Sequence, residues 1–294
     1  MSADKVYKDW QATGFNNRWV FRLAHWVCGL FPRPALYTIS DSVMEWFQGA
    51  NTAVAGAVAD NLAKAFPNQP PRLVEAHAGR TFQNYGRGVV DYLTSDGHGL
   101  EVVPSEGALG TMSSLQGGAI LVTAHMGNWE VGGEFLGRAV GPHTMVGFPE
   151  RDAGVEAFRQ SKRGASGHTT LSVGMGLEGM LKLRRALESG ERMVVLADRA
   201  VGKDCVEVIF RGRPSNFLRS PAVFSHLTGV PLVPVAVMCD GSGRYSAWVG
   251  TPFRTADCDG PEAAMQKVAD FFSGVLERYP DQWYNFFRYW REGP

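Results

Sequence analysis

Two hydrophobic rhythms divide the chain. In the first third apolar residues recur at helical spacing, and Trp19, Leu23, Trp26, Val27 and Leu30 fall on one stripe of a helix expected near residues 15–31. Arg18, Arg22 and His25 run beside that stripe, with Arg33 just beyond, and Pro32 and Pro34 are expected to end the helix. Such a helix either packs its stripe on the protein's own core or lies at the headgroup level of a membrane. Asp41 to Tyr92 also reads as helical, broken at Phe66-Pro-Asn-Gln-Pro-Pro71. From Gly118 onward short β-rich runs alternate with helical segments: Ala119–Thr123, Thr169–Val173, Met193–Ala197, Cys205–Phe210 and Leu232–Met238. That alternation predicts an α/β fold, a sheet with helices on both faces. Near the end, Trp283, Phe286, Phe287 and Trp290 repeat at i, i+3, i+4 and i+7, a helical stripe expected in the core.

Bulk composition narrows this picture. With 294 residues, 45% of them apolar, the chain can bury a sizeable core, and one domain over 1–294 is expected: a mainly helical part to about 110, then an α/β core over 111–294. The formal net charge is zero, so no global field draws it to nucleic acid. Cys28, Cys205, Cys239 and Cys258 lie far apart without a C-x-x-C pair, so neither a disulfide framework nor a zinc site is suggested, and reduced cytosolic thiols are the default. His77, His98, His143, His168 and His226 lack ligand-like spacing; they read as surface or satisfied histidines, and no metal is expected. The first ten residues hold no signal-peptide core, and no apolar run reaches the ~18 residues that span a bilayer. If this protein meets a membrane, it is expected to lie on it.

Chemistry concentrates in His125-Met-Gly-Asn-Trp-Glu130, directly after the first β-rich run. On one regular helix His125 and Glu130 would stand ~140° and ~7.5 Å apart and could not touch. They can meet if His125 ends a strand and Glu130 lies in the first turn of the next helix, with Gly127 allowing the turn and Asn128 capping the helix. Glu130 would then accept one ring N–H of His125 and leave the other nitrogen free to take a proton from an alcohol. A half-buried histidine at a strand end, satisfied by whichever carboxylate is near, fits the same spacing. Asp198 also follows a predicted strand, which places it on the same sheet edge as His125; as a bare feature it reads equally as an Asp capping the next turn.

Other groups compete for attention. Gly174-Met-Gly176-Leu-Glu-Gly179 is a literal G-x-G-x-x-G between a β-like and a helix-like run, with Asp198 following the next strand, so an NAD-dependent oxidoreductase is an alternative. The chain has 35 glycines, so chance matches are common. Arg192, Arg199, Arg211, Arg213 and Arg219 cluster in the second half; guanidinium groups bind phosphate bidentately, although a solvated basic face explains any single one. No Ser or Cys has a nucleophile-elbow context.

The H-x-x-x-x-E block resembles the first motif of the lysophospholipid and glycerolipid acyltransferase superfamily, and its wording is closest to the lipid A biosynthesis lauroyl and myristoyl acyltransferases. Further blocks match in order: Val194-Val-Leu-Ala-Asp198-Arg199, Phe210-Arg-Gly-Arg-Pro214, Ser220-Pro-Ala with Thr228-Gly-Val-Pro-Leu-Val-Pro234, and Pro280-Asp-Gln-Trp283. The resemblance implies a three-layer αβα glycerolipid-acyltransferase-like domain and transfer of a fatty acyl chain from a thioester of acyl carrier protein or coenzyme A to a hydroxyl of a lipid or glycolipid. It implies His125 as base with Glu130 as its partner, direct transfer without an acyl-enzyme, and no cofactor. Asn128, Asp198, Arg199, Arg211, Arg213 and Arg219 would bind substrate. Arg151 sits about where the family carries another functional arginine, in wording that departs from the family's. A monomer on the cytoplasmic face of the bacterial inner membrane is expected, drawing its acceptor from the bilayer. A non-catalytic lipid-binding protein is the remaining alternative.

Overall fold

The structure is a computed structural model that describes residues 18–95, 99–115, 117–147, 152–165, 167–172, 176–200 and 202–290. Helices open the chain: α1 (Arg18–Cys28), α2 (Arg33–Ala50), α3 (Thr52–Ala65) and α4 (Pro71–Thr94). Pro34 does not simply stop α1. It lies in the first turn of α2, where a missing N–H leaves no helical bond unmade. Pro71 opens α4 in the same way, so the predicted break at 66–71 is a helix-to-helix corner.

The sheet begins earlier than its β-rich pattern suggests, with β1 (Glu101–Pro104) inside the part expected to be helical. There follow α5 (Ala108–Ser114), β2 (Ala119–Thr123), α6 (Trp129–Val140), β3 (His143–Gly147), α7 (Ala153–Ala165), β4 (Thr169–Ser172), α8 (Gly176–Glu188) and β5 (Arg192–Leu196). A hairpin of β6 (Val206–Phe210) and β7 (Arg213–Phe217) comes next, then α9 (Ser220–Thr228), β8 (Leu232–Gly241), β9 (Arg244–Val249) and α10 (Gly260–Arg278). Among the described residues the main sheet runs β1-β9-β8-β2-β5-β3-β4. Every neighbouring pair is parallel except β8 and β9.

Central strands of such a sheet are covered on both faces, which is why β2 reads Ala-Ile-Leu-Val-Thr without a polar alternate. Ile120 and Val122 face α3, α4, α8, α9 and α10 through Leu62, Phe82, Leu187, Ala222 and Phe272. Ala119 and Leu121 face the other way, toward Met112 of α5 and Leu136 of α6. Ile120 and Leu121 are fully buried, and each contributes roughly 1.5–3 kcal/mol. Helices thus cover both faces, and the expected αβα layering is the observed one.

The aromatic stripe near the end is a correction. Trp283, Phe286 and Trp290 are buried in the core, but Gln282–Trp290 is an irregular extended segment rather than a helix. Apart from the Asn285 N–H on Trp283 O at 3.2 Å, the backbone bonds described below run outward to other parts of the chain. Tyr284 N–H reaches His125 O at 2.8 Å, and Asn61 Nδ2 donates to the carbonyls of Asn285 and Phe287 at 3.0 and 2.7 Å. A helical ladder would forfeit those partners.

Candidate active site

Strand register brings the site together. β2 and β5 are parallel neighbours with Thr123 opposite Leu196, and Ala197 N–H bonds Thr123 O at 2.9 Å. Two residues past each of those positions stand His125 and Asp198, so adjacent strands deliver them side by side at the carboxyl edge of the sheet. His125 Nδ1 lies 2.7 Å from Asp198 Oδ1, and the His125 main-chain N–H donates to the same oxygen at 3.0 Å. The other carboxylate oxygen, Oδ2, accepts the Trp283 indole N–H at 3.3 Å. Asp198 is wholly buried, whereas 18% of the His125 side chain is accessible. That difference fixes the roles: Asp198 holds the ring through Nδ1, and Nε2 faces outward.

Electrostatics follow from this packing. Burial, with the nearby Arg199 cation, lowers the His125 pKa from its ordinary 6.5 against the opposing pull of Asp198, which keeps the imidazole neutral and basic. Burial alone would raise the Asp198 pKa, but the His125 ring and main-chain N–H, together with Arg199, hold it down at about 2. The pair is therefore a neutral imidazole on an ionised carboxylate.

Glu130 is not the partner of His125, and that expectation is corrected. Asn128 accepts Val131 N–H at 3.2 Å and caps α6, as its place in the sequence predicts. Glu130 then sits in the first turn but turns toward α7. Arg163 grips it with Nη2 to Oε1 at 2.5 Å and Nε to Oε2 at 3.2 Å, and Arg159 Nη1 lies 3.8 Å away. Burial pushes the Glu130 pKa up, yet the Arg163 and Arg159 cations leave it below the ordinary value. A forked guanidinium is the better hydrogen-bond donor for a buried carboxylate, and Asp198 already occupies Nδ1.

Gly127 makes the turn possible. It has φ +57° and a side chain there would come within 2.0 Å of Val237 O, so both backbone conformation and packing demand glycine. Asn128 Nδ2 is committed to Gly88 O at 3.0 Å and the Tyr245 hydroxyl at 3.2 Å, and Tyr245 in turn bonds the buried Asp91 carboxylate at 2.5 Å. Asn128 therefore serves the scaffold with every polar atom of its side chain.

An apolar cavity of about 450 Å³ opens beside this turn. Helices α1, α2 and α4 wall it with Val20, Leu23, Met44, Phe47 and Val89, and its inner end is closed by Gly127, Asn128, Trp129, Glu130, Tyr284 and Phe286. The Trp129 ring stands edge-on to the His125 imidazole, 5.5 Å between centroids, so it joins the cavity wall to the base. Leu23, Ile39 and Val43 line the cavity and are also 61, 41 and 42% exposed, so the space opens through the outer face of α1 and α2. Trp19, Trp26, Leu30, Phe31 and Trp46 extend that exposed apolar face. No helix among the described residues is long and apolar enough to cross a membrane.

The arginines predicted to gather around phosphate do not converge. Arg199 is half-buried beside the dyad, donating Nε to Asn285 Oδ1 at 2.9 Å and Nη2 to Tyr284 O at 2.6 Å. Arg211 stacks on Phe66, donates to Ala65 O and pairs with Glu277 at 2.5 Å, while Arg213 donates to Lys64 O. These contacts fasten the β6–β7 hairpin to α3 and α10, and neither arginine lines the cavity. Arg219 is exposed at the start of α9, its main-chain N–H on Asp204. Arg151 and Gly174 lie outside the described residues. Gly176 and Gly179 begin α8 beyond the edge strand β4, and the acid their fingerprint would need, Asp198, points at His125. His143 and His168 are a further correction: both are buried, with rings stacked 3.9 Å apart, and the His168 nitrogens have no hydrogen-bond partner among the described residues. Arg163, Arg159 and Trp283 enter the site without being singled out as site residues; only Trp283 carried a signal, its place in a family block.

A mostly buried imidazole with an accessible edge, backed by a buried carboxylate at a sheet edge beside an apolar cavity, is an arrangement able to do general-base chemistry on a hydroxyl. The sequence pattern of the bacterial lipid A biosynthesis acyltransferases matches residues 8–292, and the chain belongs to that family. Among curated proteins it is 28% identical over 170 residues to the phosphatidylinositol mannoside acyltransferase of Mycolicibacterium smegmatis, covering 57% of this chain and 55% of that protein. The protein of the same name from Mycobacterium tuberculosis H37Rv is 26% identical over 170 residues, covering 57% and 52%. The matched stretch thus spans about half the length of these relatives. Among solved structures, the 1-acyl-sn-glycerophosphate acyltransferase PlsC of Thermotoga maritima is similar with a TM-score of 0.43 and 12% identity, over 86% of this chain and 100% of that one.

Proposed function

We propose that the protein moves a fatty acyl chain from an acyl thioester, of acyl carrier protein or coenzyme A, to a hydroxyl of a lipid or glycolipid. The observation that carries this reading is the His125–Asp198 pair, whose free Nε2 faces out beside the apolar cavity. His125 Nε2 takes the acceptor hydroxyl proton while Asp198 stabilises the imidazolium. The acceptor oxygen bonds to the thioester carbonyl carbon, forming a tetrahedral oxyanion. That intermediate collapses by breaking the C–S bond, and the departing thiolate takes the proton from His125. An ester and a free thiol result, with no acyl-enzyme.

The cavity suits an acyl chain, being lined mainly by aliphatic and aromatic side chains with few polar groups. Its opening lies on an apolar face bearing Trp19, Trp26 and Trp46, which suits a protein seated on the cytoplasmic surface of the inner membrane. Both the family pattern and the named relatives concern glycolipids, which favours a sugar hydroxyl as acceptor. Lipid mass spectrometry of cells carrying the native chain or His125→Ala tests this: one acylated lipid should be missing in the variant. Unchanged lipids with a folded His125→Ala protein would sink the acyltransferase reading. Trp19→Ser with Trp26→Ser should lower vesicle binding roughly ten-fold, since each indole removes apolar area from water; unchanged binding would reassign the face.

A further inference from the structure

We propose that Trp283 is a positioning residue for the dyad, its indole N–H holding the plane of the Asp198 carboxylate toward His125. This rests on the general-base reading above and goes beyond it. Asp198 Oδ1 already takes two bonds from His125, one from the ring and one from the main chain. Oδ2 lies in a wholly buried side chain, and the Trp283 N–H at 3.3 Å is the donor directed at it. Without that donor Oδ2 would lack a hydrogen-bond donor among the described residues, and rotation about the Cβ–Cγ bond would be the simplest relief.

The indole is itself fixed. It is 2% exposed, and the rings of Phe210, Tyr289 and Trp290 surround it with centroids at 5.4, 4.9 and 5.4 Å. Its backbone pairs with Met126 in an antiparallel bridge, flanked by bonds from Gly127 N–H to Gln282 O and from Tyr284 N–H to His125 O. The Tyr289 hydroxyl donates to the Asp198 main-chain carbonyl at 2.7 Å. One strap, residues 282–290, therefore grips the base and the carboxylate by both main chain and side chain. The charged groups facing the imidazole are Asp198 and Arg199, and Arg199 is held by the same strap through Asn285 and Tyr284.

Removing a donor from Oδ2 makes the carboxylate a stronger acceptor, which favours imidazolium and moves the acid limb of the kcat/KM profile to higher pH. Lost alignment lowers kcat with little change in KM, because Trp283 touches no substrate. The test compares the native protein, Trp283→Phe, and a protein with 3-benzothienylalanine at 283, which keeps the bicyclic shape and replaces N–H by sulfur. The thioester assay should show kcat lower by roughly ten-fold or more, the scale of a hydrogen bond to a charged group, with the acid limb raised in both. An acid limb that stays in place in a folded benzothienylalanine protein overturns the proposal, whatever happens to kcat, and makes Trp283 a packing residue. That failure leaves the proposed function standing, whereas activity in His125→Ala would remove both.

Discussion

Two buried carboxylates stand near one turn, Glu130 close to it in sequence and Asp198 across the sheet, and their partners set them apart. Asp198 holds an imidazole, a group that can give up and regain a proton near neutral pH; Glu130 holds Arg163 and Arg159, which cannot. Both carboxylates are desolvated and both are kept ionised by what they touch. The chemistry of a buried acid is thus decided by its partner rather than by its burial. Asp198 is placed where it can support proton transfer by His125, whereas Glu130 ties α6 to α7.

The contrast is sharpest under amide substitution. Asp198→Asn should lower turnover by roughly 10²–10⁴-fold, because the amide cannot balance imidazolium and can stabilise the wrong tautomer. Steady-state kinetics check this, and near-native turnover would mean that His125 works without a carboxylate. Glu130→Gln should act mainly on stability, costing about 3 kcal/mol by leaving guanidinium charge unmatched in a buried pair. Its denaturation midpoint should drop while the pH profile of turnover keeps its shape. If the acid limb moved instead, Glu130 would belong to the proton-transfer pair after all.

A smaller effect separates the two through pH. His125 has a folded pKa below its ordinary 6.5, so its contribution to stability is present above 6.5 and declines as pH falls through the folded value. Asp198 contributes above its ordinary 3.8 and loses that contribution as pH falls toward about 2. Thermal melts should therefore weaken first below 6.5, and His125→Gln should shrink that first decline without abolishing it, because the buried His143, whose pKa burial beside His168 lowers to about 4, declines over the same range. A first decline unchanged in His125→Gln would mean that His125 contributes nothing to it.

How much of this was legible in the sequence follows the same division. The strand Ala119–Thr123, the cap at Asn128 and the placement of His125 and Asp198 on one edge all follow from local pattern. The identity of the partner does not, because it depends on the register of Thr123 with Leu196, and periodicity carries no register. Nearness in sequence favoured Glu130; nearness across the sheet favours Asp198. Arg163 was invisible for a related reason, since only the packing of α7 brings it to α6. The strap at 282–290 shows helical spacing in its aromatic residues, yet long-range backbone partners override that spacing. Arg211 and Arg213 show the converse: they are neighbours in a motif, yet both are spent on the scaffold, donating to the adjacent carbonyls of Ala65 and Lys64 at the end of α3.

The strap also has a bearing on how the molecule comes to be folded. Its bond to Asp198 joins residues 85 apart in sequence, and its bond to Asn61 spans more than twice that. The closure to Asn61 costs more chain entropy than joining β2 to β5, where His125 and Asp198 stand 73 residues apart. The edge of β2 and β5 can therefore assemble first, with the strap docking on it afterwards through Trp283 and Tyr284. Pulse-labelled hydrogen exchange would register that order as protection in β2 ahead of protection at Tyr284.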